Sequence, residues 1–343
     1  MIGIVTVLFI APSYMDLYKD IMKEMERQNY IVDFLSEKSF KDDPLNKRGY
    51  SKFGKIWVNY SAFERKIDQC WRSILNQDKY SKSYDILFVL DGQSLRKVVF
   101  DILKERNPDL KTVNYLFDST GIYHFERNFQ YFDRVFTFDR LDAENFHLDL
   151  FPIYYVDENK RIGLHYNIFG MGAIQEDRYK VFNEIAHIAK DDGLSYFLKL
   201  FIFFKIRSNL FYRFRCAIYN MMGMDTISLD AVNSEFATYQ TISPSEFRYY
   251  IYSSDVIIDT CATHQKGLTA RFMWALGAGK KIVTNNSESK NYPFYDRKQI
   301  FILGVDHNLN DFLNQPFVPI EKTRKEIRKV RIDNWLHKIL EFA

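Results

Sequence analysis

Cysteine is scarce in this chain: Cys70, Cys216 and Cys261 are the only three in 343 residues. They lie far apart, are odd in number and show no C-x-x-C spacing. That pattern argues against a disulfide framework and a zinc site, and it fits a reducing cytoplasm. An excess of one charge is also missing. Lys and Arg number 47 against 44 Asp and Glu, a net charge of +3. A dedicated nucleic-acid binder carries a strong basic excess, so nucleic acid is not an expected partner. Long apolar runs are absent as well. The apolar start, IGIVTVLFIAPS (Ile2 to Ser13), is too short to span a bilayer and has no positive residues before it. It reads as a first buried strand and not as a signal peptide. The histidines lack H-x-x-x-H spacing, no D-x-D closes a strand where it would hold a metal diphosphate, and neither G-x-S-x-G nor G-x-x-x-x-G-K-[ST] occurs. No metal and no cofactor are expected.

What is present describes a folded α/β protein. The chain is 47% hydrophobic and 17% aromatic, with 31 Phe and 23 Tyr, and 27% charged. Its length suggests two domains of ordinary size. Strand patterns fall at Gly3 to Ile10, Ile31 to Leu35, Asp85 to Leu90, Thr112 to Phe117 and Arg134 to Phe138. Helical patterns lie between them at Met15 to Gln28 and Ile56 to Asp78. Continuous apolar runs such as ILFVL (Ile86 to Leu90) suit parallel strands covered on both faces. A polar break, VDENKRIG, follows Tyr155. The expected domains are 1–158 and 159–318, with a helical tail over 319–343. The second half repeats the alternation: a strand at His165 to Phe169, a helix from Gln175, FLKLFIFF (Phe197 to Phe204), DVIIDT (Asp255 to Thr260), KKIVTN and IFIL. Ser243, Pro244 and Glu246 spell a capped helix start. Glu321 to Phe342 reads as one long charged helix.

Four segments carry candidate chemistry. In QKGLTARFMWALGAGKKIVTNN (Gln265 to Asn286), polar and cationic groups sit where a loop becomes a helix. A helix N-terminus offers free N–H groups and partial positive charge, and Arg or Lys beside it makes a place for a diphosphate. Thr269, Lys266 and Arg271 are the residues expected to hold it; the competing reading is an ordinary loop, helix and strand with a glycine C-cap. In YNIFGMGAIQEDR (Tyr166 to Arg178), Gly170 and Gly172 permit close backbone approach to a ligand, with Arg178 just inside the next helix. The alternative is a turn that needs positive φ. In NYLFDSTGIYHFER (Asn114 to Arg127), Asp118 ends an apolar strand and suits a general base toward a sugar hydroxyl. Alternatively, Asp118 or Ser119 caps a following helix. Asp91 in FVLDGQS has the same two readings, and Asp139 reads as a cap. Finally, Ser195 to Met224 contains no acid and carries Lys199, Lys205, Arg207, Arg213 and Arg215 among many aromatics. It suggests contact with an anionic membrane through Lys205 to Arg215, or a buried strand and a helix with a solvated basic face.

Taken together, YLFDS (Tyr115 to Ser119), YFDRVFTFDRLDA (Tyr131 to Ala143), SSDVIIDT and QKGLTARFMWALGAGKKIVTNN resemble bacterial glycosyltransferases of the GT-B architecture. The resemblance is to the group found in capsular, exopolysaccharide and lipopolysaccharide gene clusters, and it spans roughly Asp85 to Asn286. It implies two Rossmann-like domains facing a central cleft, with a C-terminal helix crossing back to the N-terminal domain. It implies a nucleotide-sugar donor in the C-terminal domain, a saccharide or lipid-linked acceptor in the N-terminal one, and metal-independent transfer in the cytoplasm or at the inner face of its membrane. Carried over residue by residue, it puts Gln265, Gly267, Leu268, Thr269 and Arg271 near the donor's diphosphate or sugar, with Gly170 to Gly172 facing the donor; the residues' own chemistry adds Arg178, Lys266 and Lys280 to the expected donor-binding set. The strand-end placement of Asp118 and the cation cluster around Arg271 make these two the expected catalytic pair. A nucleotide-sugar epimerase of the same architecture and a non-catalytic nucleotide-sugar-binding scaffold are the rival implications. One position departs from the family pattern. Many relatives carry Glu just before the Ala-Leu-Gly step, where it contacts the donor, and this chain has Trp274, which would stack or pack there instead.

Overall fold

The computed structural model describes residues 5–13, 17–37, 60–121, 123–157, 165–204, 209–221, 226–261, 266–318 and 321–342. The chain divides into two compact units. One holds Met1–Val156, Ala262–Leu268 and Arg328–Ala343; the other holds Asp157–Cys261 and Thr269–Ile327.

In chain order the first unit begins with β1 (Thr6–Ala11), α1 (Leu17–Arg27), β2 (Ile31–Ser36), α2 (Tyr60–Leu75) and β3 (Ile86–Leu90). It continues with α3 (Lys97–Arg106), β4 (Lys111–Leu116), β5 (Arg134–Thr137), α4 (Arg140–Phe146) and β6 (Asp149–Leu150). The second unit runs through β7 (Tyr166–Ala173), α5 (Glu176–Asp191), β8 (Tyr196–Phe201), α6 (Asn209–Met221), α7 (Leu229–Val232), β9 (Ala237–Thr238) and α8 (Pro244–Tyr252). After these come β10 (Ser254–Asp259), α9 (Ala270–Gly277), β11 (Lys281–Thr284), β12 (Ile300–Ile302), α10 (Leu309–Asn314) and α11 (Glu321–Arg328). The last helix, α12 (Ile332–Leu340), belongs to the first unit.

The first unit is one parallel sheet of six strands in the order β2-β1-β3-β4-β5-β6. All five residues of β3 are buried, as the uninterrupted ILFVL run requires of a strand covered on both faces. One cover comes from α2, whose Ile67, Trp71 and Leu75 recur every four residues and pack with Val98, Ile102 and Leu103 of α3. On α12, Trp335 is fully buried, with its ring 4.7 Å from Tyr115, 5.1 Å from Tyr154 and 6.4 Å from Phe88. Its indole N–H donates to the Pro152 carbonyl at 3.2 Å. The expected single helix over 321–342 is therefore two. Around Arg331 the backbone leaves the helix to pair with Tyr155, whose N–H donates to Val330 O at 3.1 Å and whose carbonyl accepts from Ile332 N at 3.0 Å.

The second unit is another parallel six-stranded sheet, ordered β12-β11-β10-β7-β8-β9. Numbered within the unit, this is the 3-2-1-4-5-6 order of a Rossmann sheet. Its core joins Ile168, Phe182, Ile185, Leu198, Val256 and Ile258. Ser243 closes a full capping box with Glu246 at the start of α8, and Pro244 occupies the first turn. One strand is longer than its sequence pattern suggests. β7 does not end before the glycines. Gly170 pairs with Leu198, Gly172 with Leu200 and Ala173 with Phe201, and neither glycine has positive φ.

Candidate functional site

In a Rossmann-ordered sheet the connections diverge between the first and fourth strands, and a crevice opens at their carboxyl ends. In the second unit those strands are β7 and β10. Asp259 closes β10 and is 1% exposed. Its Oδ1 accepts from Thr269 Oγ1 at 2.7 Å and from Arg271 Nε at 2.8 Å. Thr269 is also the N-cap of α9, accepting from Phe272 N at 3.1 Å. The hydroxyl expected to meet a phosphate thus ties the helix start to Asp259. The expected role of Arg271 is only partly free, because its guanidinium is anchored on that carboxylate and half-buried.

A second guanidinium lies beside the first. Arg178 is 7% exposed. Its Nε donates to Thr260 Oγ1 at 2.6 Å, Nη2 to the Thr260 carbonyl at 2.7 Å, and Nη1 to the Ala173 carbonyl. No carboxylate appears among these partners. Burial, followed by repulsion from Arg271, lowers its pKa to about 10, against the attraction of Asp259. Among the described residues the site therefore brings together two guanidiniums and one carboxylate. An excess positive charge in a poorly solvated place favours an anion. Cys261 adjoins the cluster, its thiol pushed up to about 11 by burial and Asp259. Asn285 holds its backbone on both sides, accepting from the N–H at 2.9 Å and donating to the carbonyl at 3.0 Å.

The glycines of β7 have packing roles. A Cβ at Gly172 would lie 2.7 Å from Nη1 and 2.8 Å from Cζ of Arg178, so only glycine leaves space for that guanidinium to cross the strand. A Cβ at Gly170 would come within 3.0 Å of Ile258, Leu198 and Phe182. Protein atoms fill the space there, and the expected approach of a ligand to Gly170 gives way to sheet packing. Lys280 stands at the amino end of β11, which pairs Lys281 with Val256 and Thr284 with Asp259. That is the edge of the sheet opposite the arginines, which removes Lys280 from the donor site. Its neighbour Lys281 turns inward and donates to the carbonyls of Phe312, Leu313 and Gln315 at 2.6, 2.9 and 2.6 Å, satisfying the end of α10. Trp274 is 2% exposed and packs on α8, with the Phe247 ring at 6.0 Å and the Arg248 guanidinium 5.6 Å from its own ring. It packs and does not face a ligand. Gln265 lies outside the described residues.

The first unit has its own divergence point, between β1 and β3. Asp91 follows β3 there, 4% exposed and with φ of 61°. Its Oδ1 accepts from Phe117 N at 2.7 Å and Asp118 N at 3.1 Å, which fixes the chain leaving β4. No helix starts at Asp118 or Ser119; Ser119 Oγ instead accepts from Gly121 N at 3.1 Å. Glu37, just after β2, is 6% exposed and accepts from both the N–H and the hydroxyl of Ser94. Burial raises the pKa of all three acids, Glu37 to about 7, and the charge of Asp118 adds to the rise at Asp91. Asp139 is the N-cap of α4, accepting from Leu141 N at 2.9 Å, as its sequence context suggests. Its other oxygen accepts from Lys266 N at 3.0 Å and Gly267 N at 2.9 Å, and a Cβ at Gly267 would strike the Phe138 ring at 2.4 Å. Those two N–H groups, expected to face a donor, are bound by a carboxylate here. Leu268 is 1% exposed.

Sequence reading passed over Asp259 and Glu37 and ranked Asp91 below Asp118. The available signal was common to all three: each acid stands at the carboxyl end of a parallel strand.

No protein-family model matches the chain, and no curated protein matches it. Solved structures do. An α,α-trehalose-phosphate synthase (UDP-forming) from Burkholderia vietnamiensis is 11% identical with a TM-score of 0.56, over 97% of this chain and 98% of its own. The lipopolysaccharide outer core galactosyltransferase WaaB in its apo form is 10% identical at 0.50, over 98% and 99%. A UDP-N-acetylglucosamine 2-epimerase is 12% identical at 0.52, over 99% and 95%. At these identities the likeness is one of fold. The chain has the GT-B fold, α/β with two Rossmann-like units.

Proposed function

We propose that this protein is a glycosyltransferase that moves a sugar from a nucleotide-sugar donor to a hydroxyl of a surface polysaccharide or its lipid-linked precursor. The observation that carries the reading is the charge excess at the β7–β10 divergence point, where, among the described residues, Asp259 bonds Arg271 and is the one carboxylate whose charge acts on Arg178. A diphosphate supplies the missing negative charge. The anchored guanidiniums are preorganised, so they stabilise the charge that grows on the leaving nucleoside diphosphate without first reorienting. Such a site needs no bound metal. In the first unit, Asp118 takes the proton of the acceptor hydroxyl, which attacks the anomeric carbon as the diphosphate departs. Its raised pKa makes it a better base once ionised. Capsule, exopolysaccharide or lipopolysaccharide assembly is the setting that the motifs suggest. A lipid-linked acceptor would bring the enzyme to the inner face of the cytoplasmic membrane.

The test is a thermal-shift screen of the whole chain against nucleoside mono- and diphosphates and nucleotide sugars. A ligand that binds the native state raises the melting temperature by mass action. Diphosphates are expected to raise it, and Arg271→Ala to abolish the rise. A monophosphate response equal to the diphosphate one, or a response that survives Arg271→Ala, refutes the assignment. Incubating the best donor without acceptor then separates transfer from epimerisation, since only an epimerase turns it over to an isomer alone.

A further inference from the structure

The N–H, the carbonyl and one carboxylate oxygen of Asp91 all bond to a single stretch, β4 and its exit. The N–H donates to Tyr115 O at 2.9 Å, and the carbonyl accepts from Asn114 Nδ2 at 3.3 Å. Oδ1 accepts from Phe117 N at 2.7 Å and from Asp118 N at 3.1 Å. Four bonds thus tie one residue to positions 114–118. The carboxyl reaches that stretch because the backbone reverses beneath it. Gly92 N donates to Leu90 O at 2.8 Å, which closes a three-residue turn with Asp91 at its centre and φ of 61°. A left-handed central residue makes such a turn rare and strained. A side chain stays in that conformation only where its surroundings fix it. Asn114 is one of those surroundings: it is 1% exposed and lies on β4 beside Val89 of β3.

Asp118 is the residue that this arrangement delivers. Its carboxyl is half-buried, and among the described residues it accepts no hydrogen bond and joins no ion pair. Burial raises its pKa. A carboxylate without donors keeps its basicity, and a base has to stand within hydrogen-bond reach of the proton it takes. The chain beyond it is held as well: Thr120 donates to the buried Asp142 of α4 through its N–H at 2.8 Å and its hydroxyl at 2.5 Å. Asp91 therefore fixes one side of Asp118 and Asp142 the other. The charge of Asp118 reaches Asp91. Two further charged groups bear on the pair: Glu37 after β2, whose charge also reaches Asp91, and Arg127, whose charge acts on Glu37.

We propose that Asp91 is a positioning residue for Asp118: its Oδ1, aimed sideways by the left-handed turn, gathers the amides of Phe117 and Asp118 and so sets where the base of the first unit stands. The inference rests on the reading of Asp118 as the base that takes the acceptor proton. Asp91 takes no proton from the acceptor. It fixes the backbone from which the Asp118 carboxyl reaches the acceptor hydroxyl.

The experiment compares Asp91→Gly with Asp91→Asn in the full chain. Glycine adopts positive φ freely and removes the carboxyl. Asparagine also tolerates the left-handed region and keeps an oxygen for the two amides. The Asp118 carboxyl carbon, identified as the resonance lost in Asp118→Asn, is titrated by NMR. It should titrate above the ordinary 3.8 in the wild type and in Asp91→Asn, and fall back toward that value in Asp91→Gly as the freed exit opens to water. Release of nucleoside diphosphate from the nucleotide sugars of the thermal-shift panel, with water as acceptor, gives the kinetic readout. In Asp91→Gly, kcat should fall roughly tenfold or more with KM for the nucleotide sugar within about twofold, because alignment is lost and donor binding is not. Asp91→Asn should restore most of that kcat, and both variants should keep the thermal shift with a nucleoside diphosphate, which belongs to the second unit. An Asp118 that titrates in Asp91→Gly as in the wild type overturns the proposal. So does an Asp91→Asn variant that falls as far as Asp91→Gly, since charge and not the bonded oxygen would then be responsible. If the wild type releases no nucleoside diphosphate, the transfer reading fails while the titration still decides the role of Asp91. Should Asp91→Gly not fold, amide exchange in the wild type decides: slow exchange at Phe117 and Asp118 supports the tether, and exchange as fast as an open loop overturns it.

Discussion

Glu37→Gln should stabilise the protein in a pH-dependent way. Glu37 sits after β2, 6% exposed, and accepts from the backbone N–H and hydroxyl of Ser94. Burial raises its pKa from 4.5 to about 7, although the Ser94 bonds and the charge of Arg127 oppose the rise. The folded protein holds this proton more tightly than the unfolded chain does. The stability it contributes is complete below pH 4.5 and lost as the pH climbs through about 7. The full shift corresponds to about 3 kcal/mol, of which about 2 kcal/mol is lost between pH 5.5 and 8.5. Glutamine keeps an acceptor oxygen for Ser94 and does not titrate. Urea unfolding of wild type and variant at those two pH values reads the difference directly. The variant's advantage should grow by about 2 kcal/mol on going to pH 8.5, with the m-value unchanged. An offset that is the same at both pH values would show that Glu37 is not a buried, protonated acid and would refute the reasoning.

Two further substitutions probe the frame of each unit. Gly172→Ala puts a Cβ 2.7 Å from Arg178 Nη1; expelling the guanidinium breaks its bonds to Ala173 and Thr260, a loss of roughly 3 kcal/mol, and should abolish any thermal shift with a nucleoside diphosphate. An alanine variant that melts and binds like the wild type would mean that the strand yields and the guanidinium stays. Trp335→Ala removes a fully buried indole that joins α12 to Tyr115 and Tyr154, and should cost about 3–5 kcal/mol in urea unfolding; a loss under 1 kcal/mol would contradict the packing described.

The alternation of buried apolar runs with helical stripes was enough to read two α/β halves, because parallel strands announce themselves through continuous burial. ILFVL and DVIIDT were legible in that way. Their carboxyl ends were legible as places for chemistry, but the partners of each side chain were not. Arg178 and Asp259 are separated by eighty residues of chain and meet only because β7 and β10 are neighbours, a pairing that no local pattern encodes. The glycines of β7 misled for a related reason: a G-x-G step looks like a turn, while Gly170 and Gly172 are small because neighbouring side chains need their space. Lys280 and Lys281 form a dipeptide suited to phosphate, but their place at the amino end of β11 depends on which way the strand runs. Trp274 follows the same logic. Its position in the helix invites comparison with a donor-binding acid, and its large apolar surface sends it into the packing against α8.

Both units put charged groups where water is scarce, at the same topological point and with opposite sign. In the first unit, buried carboxylates crowd together and burial raises their pKa values. In the second, guanidiniums outnumber their carboxylate. Asp259→Asn tests whether the second excess is what makes an anion site. Asparagine keeps an acceptor oxygen for Arg271 and Thr269 but carries no charge, so two guanidiniums would face each other with no countercharge. Removing one partner of a buried pair costs about 3–5 kcal/mol, so the variant should melt well below the wild type in dilute buffer. Its deficit should be recoverable by charge alone. Inorganic pyrophosphate replaces the missing negative charge, and its stabilising effect should be larger on the variant than on the wild type. If pyrophosphate raises both melting temperatures equally, or neither, the arginines are structural braces for the ends of β7 and β10, and the charge-excess argument fails.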